Sequence, residues 1–164
     1  MPTLRLLENK VRTLGGLKKT IARLRSQGRR IVFTNGCFDL IHYGHVKYLE
    51  EARKKGDILI VGVNSDASVR KLKGKKRPVV KETERLRLVA ALESVDYAVL
   101  FKEDTPIKLI VSIKPDVLIK GADWKKDDIV GRDIVLSSGG RVSTIKLAKG
   151  HSTTNLIRKI AGHF

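Results

Sequence analysis

From residue 30 onward the chain alternates two hydrophobic rhythms. Short aliphatic, often β-branched runs predict strands at 30–34, 57–63, 97–101, 116–120 and 141–147. Between and after them, apolar residues recur every three or four positions. That spacing predicts helices at 44–55, 66–72, 82–92, 105–113, 132–138 and 153–161. Strands that are apolar on both sides of the alternation are buried on both faces, as in a parallel sheet covered by helices. The expected fold is α/β, a single Rossmann-like doubly wound domain over residues 30–164 with a mainly parallel five-stranded sheet. Residues 1–29 form an N-terminal helical extension, with Leu17, Ile21 and Leu24 on one side of a helix that packs on the sheet. Gly56 is expected to end the first helix of the domain as a left-handed cap. Ser152 or Thr153 is the expected N-cap of the last.

Residues 34–45 read Thr-Asn-Gly-Cys-Phe-Asp-Leu-Ile-His-Tyr-Gly-His and lie between a strand and a helix. A helix start offers unpaired N–H groups and the positive end of a dipole, which together favour an anion. His42 and His45 add donors suited to a phosphate on which negative charge builds. Gly36 and Gly44 allow close approach and positive φ. A zinc site is disfavoured because the pair lacks a third ligand: the only cysteine, Cys37, sits in the loop, and His151 is distant in sequence. There is no Gly-x-Ser-x-Gly, and Cys37 has no evident base. Chemistry here would rest on alignment and charge stabilisation, not on a protein nucleophile.

Composition narrows this further. No apolar stretch approaches the length of a membrane span, and Met1–Arg5 lacks the apolar region of a signal peptide. One cysteine forms no internal disulfide, so a cytoplasmic location is expected. The 34 basic and 17 acidic residues leave +17, a charge that raises nucleic-acid binding as a competing function. The basic residues are spread along the chain, with one dense block from Arg70 to Arg77, and aromatics are 5% with no stacking platform. Nucleic acid is therefore the less favoured partner.

Gly36-Cys37-Phe38-Asp39 followed by His42-Tyr43-Gly44-His45 resembles the nucleotidyltransferase superfamily with its His-x-Gly-His signature. Five further segments follow in order: Asn64-Ser65-Asp66, Lys71-Leu72-Lys73-Gly74, Glu103-Asp104-Thr105-Pro106, Lys120-Gly121-Ala122-Asp123-Trp124 and Ser152-Thr153-Thr154-Asn155. In that combination the chain is similar to the branch that adenylylates D-glycero-β-D-manno-heptose 1-phosphate. The resemblance runs from about residue 10 to residue 161. It implies ATP and a sugar 1-phosphate as substrates, magnesium carried by the nucleotide phosphates, no membrane, and a homodimer. A cytidylyltransferase or an FAD-synthase-like enzyme acting on another phosphorylated acceptor would use the same motifs.

The same resemblance implies roles for individual residues. His42, His45 and Lys71 are the expected catalytic residues. Gly36, Cys37, Phe38, Gly44, Lys120, Gly121, Asp123, Ser152, Thr153 and Thr154 would hold the nucleotide. Lys73, Arg85, Trp124 and Asp39 would serve the acceptor. Asp39 would orient a histidine, hold magnesium through water, or simply cap a turn. Arg85 would meet a phosphate or pair with Glu82 or Glu84. Residues 146–151 read Lys-Leu-Ala-Lys-Gly-His where many cytidylyltransferases carry an arginine, which favours the heptose branch.

Overall fold

The alternation that marks each strand divides the core in two. The computed structural model describes residues 6–162. Its elements begin with α1 (Leu7–Lys10), β1 (Val11–Arg12), α2 (Leu14–Ser26), β2 (Ile31–Gly36), α3 (Tyr43–Arg53), β3 (Ile58–Asn64) and α4 (Asp66–Lys73). They continue with α5 (Glu82–Ala91), β4 (Tyr97–Phe101), α6 (Ile107–Ile113), β5 (Val117–Gly121), α7 (Arg132–Ser137), β6 (Arg141–Ile145) and α8 (Thr153–Ala161). Ile31, Phe33 and Ile60 face one apolar cluster, closed by Leu17, Ile21 and Leu24 of α2, by α6 and by Val135 of α7. Val32, Leu59 and Val61 face the other, closed by α3 and α5 through Leu49, Ala52 and Val89. Burying each of the large α2 side chains contributes roughly 1.5–3 kcal/mol, which fixes that helix to the sheet.

The sheet has six strands, in the order β1-β4-β3-β2-β5-β6, where the sequence suggested five. Every pairing is parallel. The additional strand, β1, is two residues long, Val11 and Arg12 opposite Ala98 and Val99. Two residues cannot display an alternation, so the periodicity that found the other five is silent there. The segment before residue 30 thus supplies an edge strand as well as α2.

Aspartates fasten the N-terminal ends of the strands. Asp57 accepts from the Arg30 amide at 2.8 Å, Asp96 from Leu59 at 2.9 Å and Asp116 from Ile31 at 2.7 Å. Each stands directly before its own strand and receives an amide of the neighbouring one.

Gly56 is absent from the positive-φ glycines, so the expected left-handed cap does not form. A Cβ there would stand 2.7 Å from Val32 Cγ2 and 2.9 Å from the Arg30 carbonyl. Close approach of helix end to strand is what requires glycine. Ser152 does cap α8, its Oγ accepting from Asn155 N at 3.1 Å.

Candidate active site

His42 is the residue that enters α3. Its carbonyl accepts from the amides of His45 (2.9 Å) and Val46 (3.2 Å), and this turn puts the two imidazoles on one side. The rings stack with centroids 3.9 Å apart and planes inclined by 23°. Both Nδ1 atoms are buried and lack a hydrogen-bond partner among the described residues. Burial, then proximity to His42, lowers the His45 pKa to about 4. Burial, then His151, lowers that of His42. At neutral pH the pair is therefore uncharged, each ring carrying one N–H donor and one acceptor nitrogen, with His45 hydrogen-bonded to the Leu40 backbone.

The surroundings of the pair explain the glycines. Phe38 holds a left-handed backbone, φ 46°, which turns its ring back over Gly36 and edge-on to His45 at 5.3 Å. A Cβ on Gly36 would lie 3.0 Å from that ring. A Cβ on Gly44 would lie 2.9 Å from His42 Cε1 and 3.0 Å from His151 Cβ. Neither glycine has positive φ. The freedom expected of them is used by Phe38 instead, and both glycines serve close approach. Through Gly44 the loop that starts α8 reaches the histidines, and Tyr43 meets His151 edge-on at 5.1 Å. Ser152, Thr153 and Thr154, more than a hundred positions later in the chain, thereby open their helix beside the His-x-Gly-His turn.

Two expected substrate contacts turn out to be internal. Asp39 is buried, and accepts from Arg77 Nε at 2.6 Å, Val79 N at 2.8 Å and Val80 N at 2.9 Å. These bonds hold its carboxyl below the usual range despite its burial. It pins the basic segment after α4 to the loop between β2 and α3, its carboxylate oxygens taken up by these three donors. Arg85 is fully buried. It donates to the carbonyls of Val80 (2.9 Å), Cys37 and Asn64 (2.8 Å) and to Asp66 Oδ1 at 2.8 Å. With its fork so engaged, Arg85 ties three loops together and does not meet a phosphate. Its acidic partner is Asp66 and not Glu82 or Glu84.

The lysine pair divides. Lys71 Nζ lies 2.7 Å from Asp104 Oδ1, both side chains being well exposed. Lys73 is the one whose charge reaches the Cys37 thiol. There it pulls downward, with Arg85 and Arg77, against the burial that raises that thiol. A thiol so raised is a poor nucleophile, in keeping with chemistry that needs none. On the far side of the crevice Lys120 Nζ donates to Asn35 Oδ1 and faces the Trp124 ring at 5.6 Å. Gly121 leaves room for the Asp123 carboxylate and Leu147, where any Cβ would collide. Tyr48 hydrogen-bonds Thr34 at 2.8 Å beneath this wall. Burial raises its hydroxyl to about 12, with Asp123 adding to the rise. Asn35 and Tyr48 were not singled out from sequence, and Arg77 was noted only within the basic segment after Lys73. For Asn35 the signal was present, a polar residue closing an apolar strand.

The model of the cytidylyltransferase-like family matches residues 33–159. This chain belongs to the cytidylyltransferase-like family. The matched span contains the histidine turn, the lysine-bearing α4, the β5 end and the start of α8.

Among curated relatives, the bifunctional protein HldE of Citrifermentans bemidjiense is 53% identical over 157 residues, 96% of this chain and 32% of that protein. The protein of the same name from Geobacter sulfurreducens is 54% identical over 151 residues, 92% of this chain and 31% of its own. This cytidylyltransferase-like chain thus spans about a third of the length of these curated relatives. A crystal structure described as the lipopolysaccharide core biosynthesis protein from Thermoplasma volcanium superposes with a TM-score of 0.62 at 35% identity. The match covers 76% of this chain and all of that one. No described helix is long and apolar enough to cross a membrane.

Proposed function

We propose that this chain transfers AMP from ATP to a heptose 1-phosphate, giving an ADP-heptose and pyrophosphate for lipopolysaccharide or another surface glycan. The observation that carries the reading is the stacked, half-buried histidine pair, both Nδ1 atoms enclosed and without a hydrogen-bond partner among the described residues, set against the His151–Thr154 helix start. The names of the bifunctional relatives and of the lipopolysaccharide-core protein lend it support.

The attacking anomeric phosphate is already an anion and needs no base. Its oxygen attacks the α-phosphorus, the bond to the β-phosphate oxygen breaks, and pyrophosphate leaves. His42 and His45 donate hydrogen bonds where charge grows in the transition state. The N–H groups and hydroxyls of Ser152, Thr153 and Thr154 hold the leaving phosphates at the start of α8. Lys73 supplies positive charge from the α4 side, while magnesium arrives with ATP as part of the substrate. Alignment of two anions, normally repelling, accounts for much of the acceleration.

The test is pyrophosphate release with ATP or CTP, each against heptose, hexose and polyol phosphates. Release confined to ATP with a heptose 1-phosphate, and lost in His45→Ala, is the expected result. Release only with CTP and a polyol phosphate would keep the transfer and discard the substrate.

A further inference from the structure

The crevice between β2 and β5 contains a buried cation whose surroundings are built to leave it available. Strand order reverses at this point, since β2 is followed outward by β3 and β4 on one side and by β5 and β6 on the other. Open α/β sheets take their ligands where such a reversal parts the strand ends. Phe33 pairs with Leu118, so two residues further along Asn35 stands opposite Lys120 at the lip of the opening. Lys120 is 8% exposed. Its Nζ donates to Asn35 Oδ1, a neutral acceptor, and no carboxylate forms an ion pair with it among the described residues. Asp123 is close enough for its field to act on the ammonium, but is not bonded to it. Trp124, half exposed, lies over the same ammonium at 5.6 Å, within cation–π reach. A buried ammonium is costly without a counter-charge, and of its three N–H groups only one is engaged by the protein.

We propose that Lys120 is the residue that receives an anionic phosphate oxygen of the reacting pair, aimed by Asn35 and roofed by Trp124. This rests on the nucleotidyl-transfer reading and assigns within it the charge that the histidines do not supply. The phosphate is either the nucleotide's α-phosphate or the acceptor's 1-phosphate, which share anionic non-bridging oxygens.

The site carries its own pH signature. Burial brings the Lys120 ammonium down to about 8, against the opposing pull of Cys37 and Asp123. The groups facing it are Asn35 of β2, Cys37 of the following loop, and Asp123 and Trp124 of its own loop, with Tyr48 of α3 behind Asp123. The cation is thus present at neutral pH and is lost above about pH 8. Arginine at this position would keep its charge throughout that range.

The experiment is binding of AMP, and separately of glucose 1-phosphate, to the full chain by calorimetry at pH 7 and pH 9.5. Emission of Trp124, the only tryptophan, provides a local second readout. Wild type is expected to lose about tenfold or more in affinity for at least one probe at the higher pH. Lys120→Arg should bind without that loss, and Lys120→Met weakly at both pH values with its melting temperature retained. Free wild-type protein should show a Trp124 emission change centred near pH 8 that Lys120→Arg lacks. Sensitivity to AMP assigns the nucleotide phosphate, and sensitivity to glucose 1-phosphate the acceptor's; either supports the proposal. Lys120→Met binding both probes as wild type overturns it while leaving the transfer reading intact. An alkaline loss that persists in Lys120→Arg, or disappears in Cys37→Ser, overturns it as well, by assigning the titration elsewhere. Wild type that binds neither probe removes the transfer reading along with it.

Discussion

His42 and His45 stack face to face at 3.9 Å although one precedes α3 and the other lies within it. Two imidazoles so close cannot readily both carry charge, because each cation would raise the energy of the other. The pair is a neutral donor unit that becomes attractive to a proton only when an anion arrives.

Stability should therefore fall in acid through His45. Its folded pKa is about 4, below the ordinary 6.5 of a histidine, so the unfolded chain binds the proton first. The stabilising contribution is complete above about pH 6.5, declines as pH falls from there, and is gone near pH 4. The full loss is at most about 3 kcal/mol for a shift of this size. Urea denaturation at several pH values should show His45→Gln flatter than wild type across that window. Parallel curves would place the acid sensitivity elsewhere.

Because the rings act as one unit, single and double substitutions should cost nearly the same. His42→Ala and His45→Ala are each expected to lower kcat by about 10²–10³. The double variant should fall far short of the product of the two losses. Multiplicative losses in pyrophosphate-release assays would mean that the histidines serve separate phosphates.

How much of this was legible depended on the range of each interaction. The strands and helices follow from local period, and β1 escaped because Val11 and Arg12 are too few to have one. The histidine turn is local as well, the four residues His42 to His45 at the start of a helix. For Asp39 and Arg85 the choice between substrate contact and internal bond was not legible, because their partners lie far along the chain: Arg77, Val79 and Val80 for one, Cys37 and Asn64 for the other. A charged residue in a motif looks the same in sequence whether it faces a ligand or a loop. Gly36, Gly44 and Gly56 show a similar ambiguity, since glycine serves close approach as readily as positive φ, and only packing reveals which.

The Asp39 clamp predicts a loosened basic segment when its charge is removed. An asparagine would present an N–H where the aspartate now receives Arg77, Val79 and Val80. Leaving a buried donor unmatched costs about 1–3 kcal/mol. Asp39→Asn should accelerate tryptic cleavage after Lys73, Lys75 and Lys76 and raise the KM for substrate more than it lowers kcat. Unchanged cleavage would show that the segment is held by other contacts.

The two lysines of α4 should separate in the opposite sense from their order in the sequence motif. Lys71 is committed to a solvent-exposed pair with Asp104, an arrangement worth about 0–1 kcal/mol and easily exchanged for water. Lys73 projects its charge toward Cys37 and the mouth of the crevice. They sit two positions apart, a spacing at which helical side chains leave in different directions, so only one can face the site. Lys73→Ala is expected to raise the KM of a phosphorylated substrate about tenfold, a typical charge-assisted contact. Lys71→Ala should change KM less than twofold and melt within a degree or two of wild type. Steady-state kinetics of the two variants, with Asp104→Ala beside them, decide the matter. If Lys71→Ala and Asp104→Ala were both to weaken substrate binding, the ion pair would be a resting state that opens on binding. Lys71 would then return to the place its motif suggests.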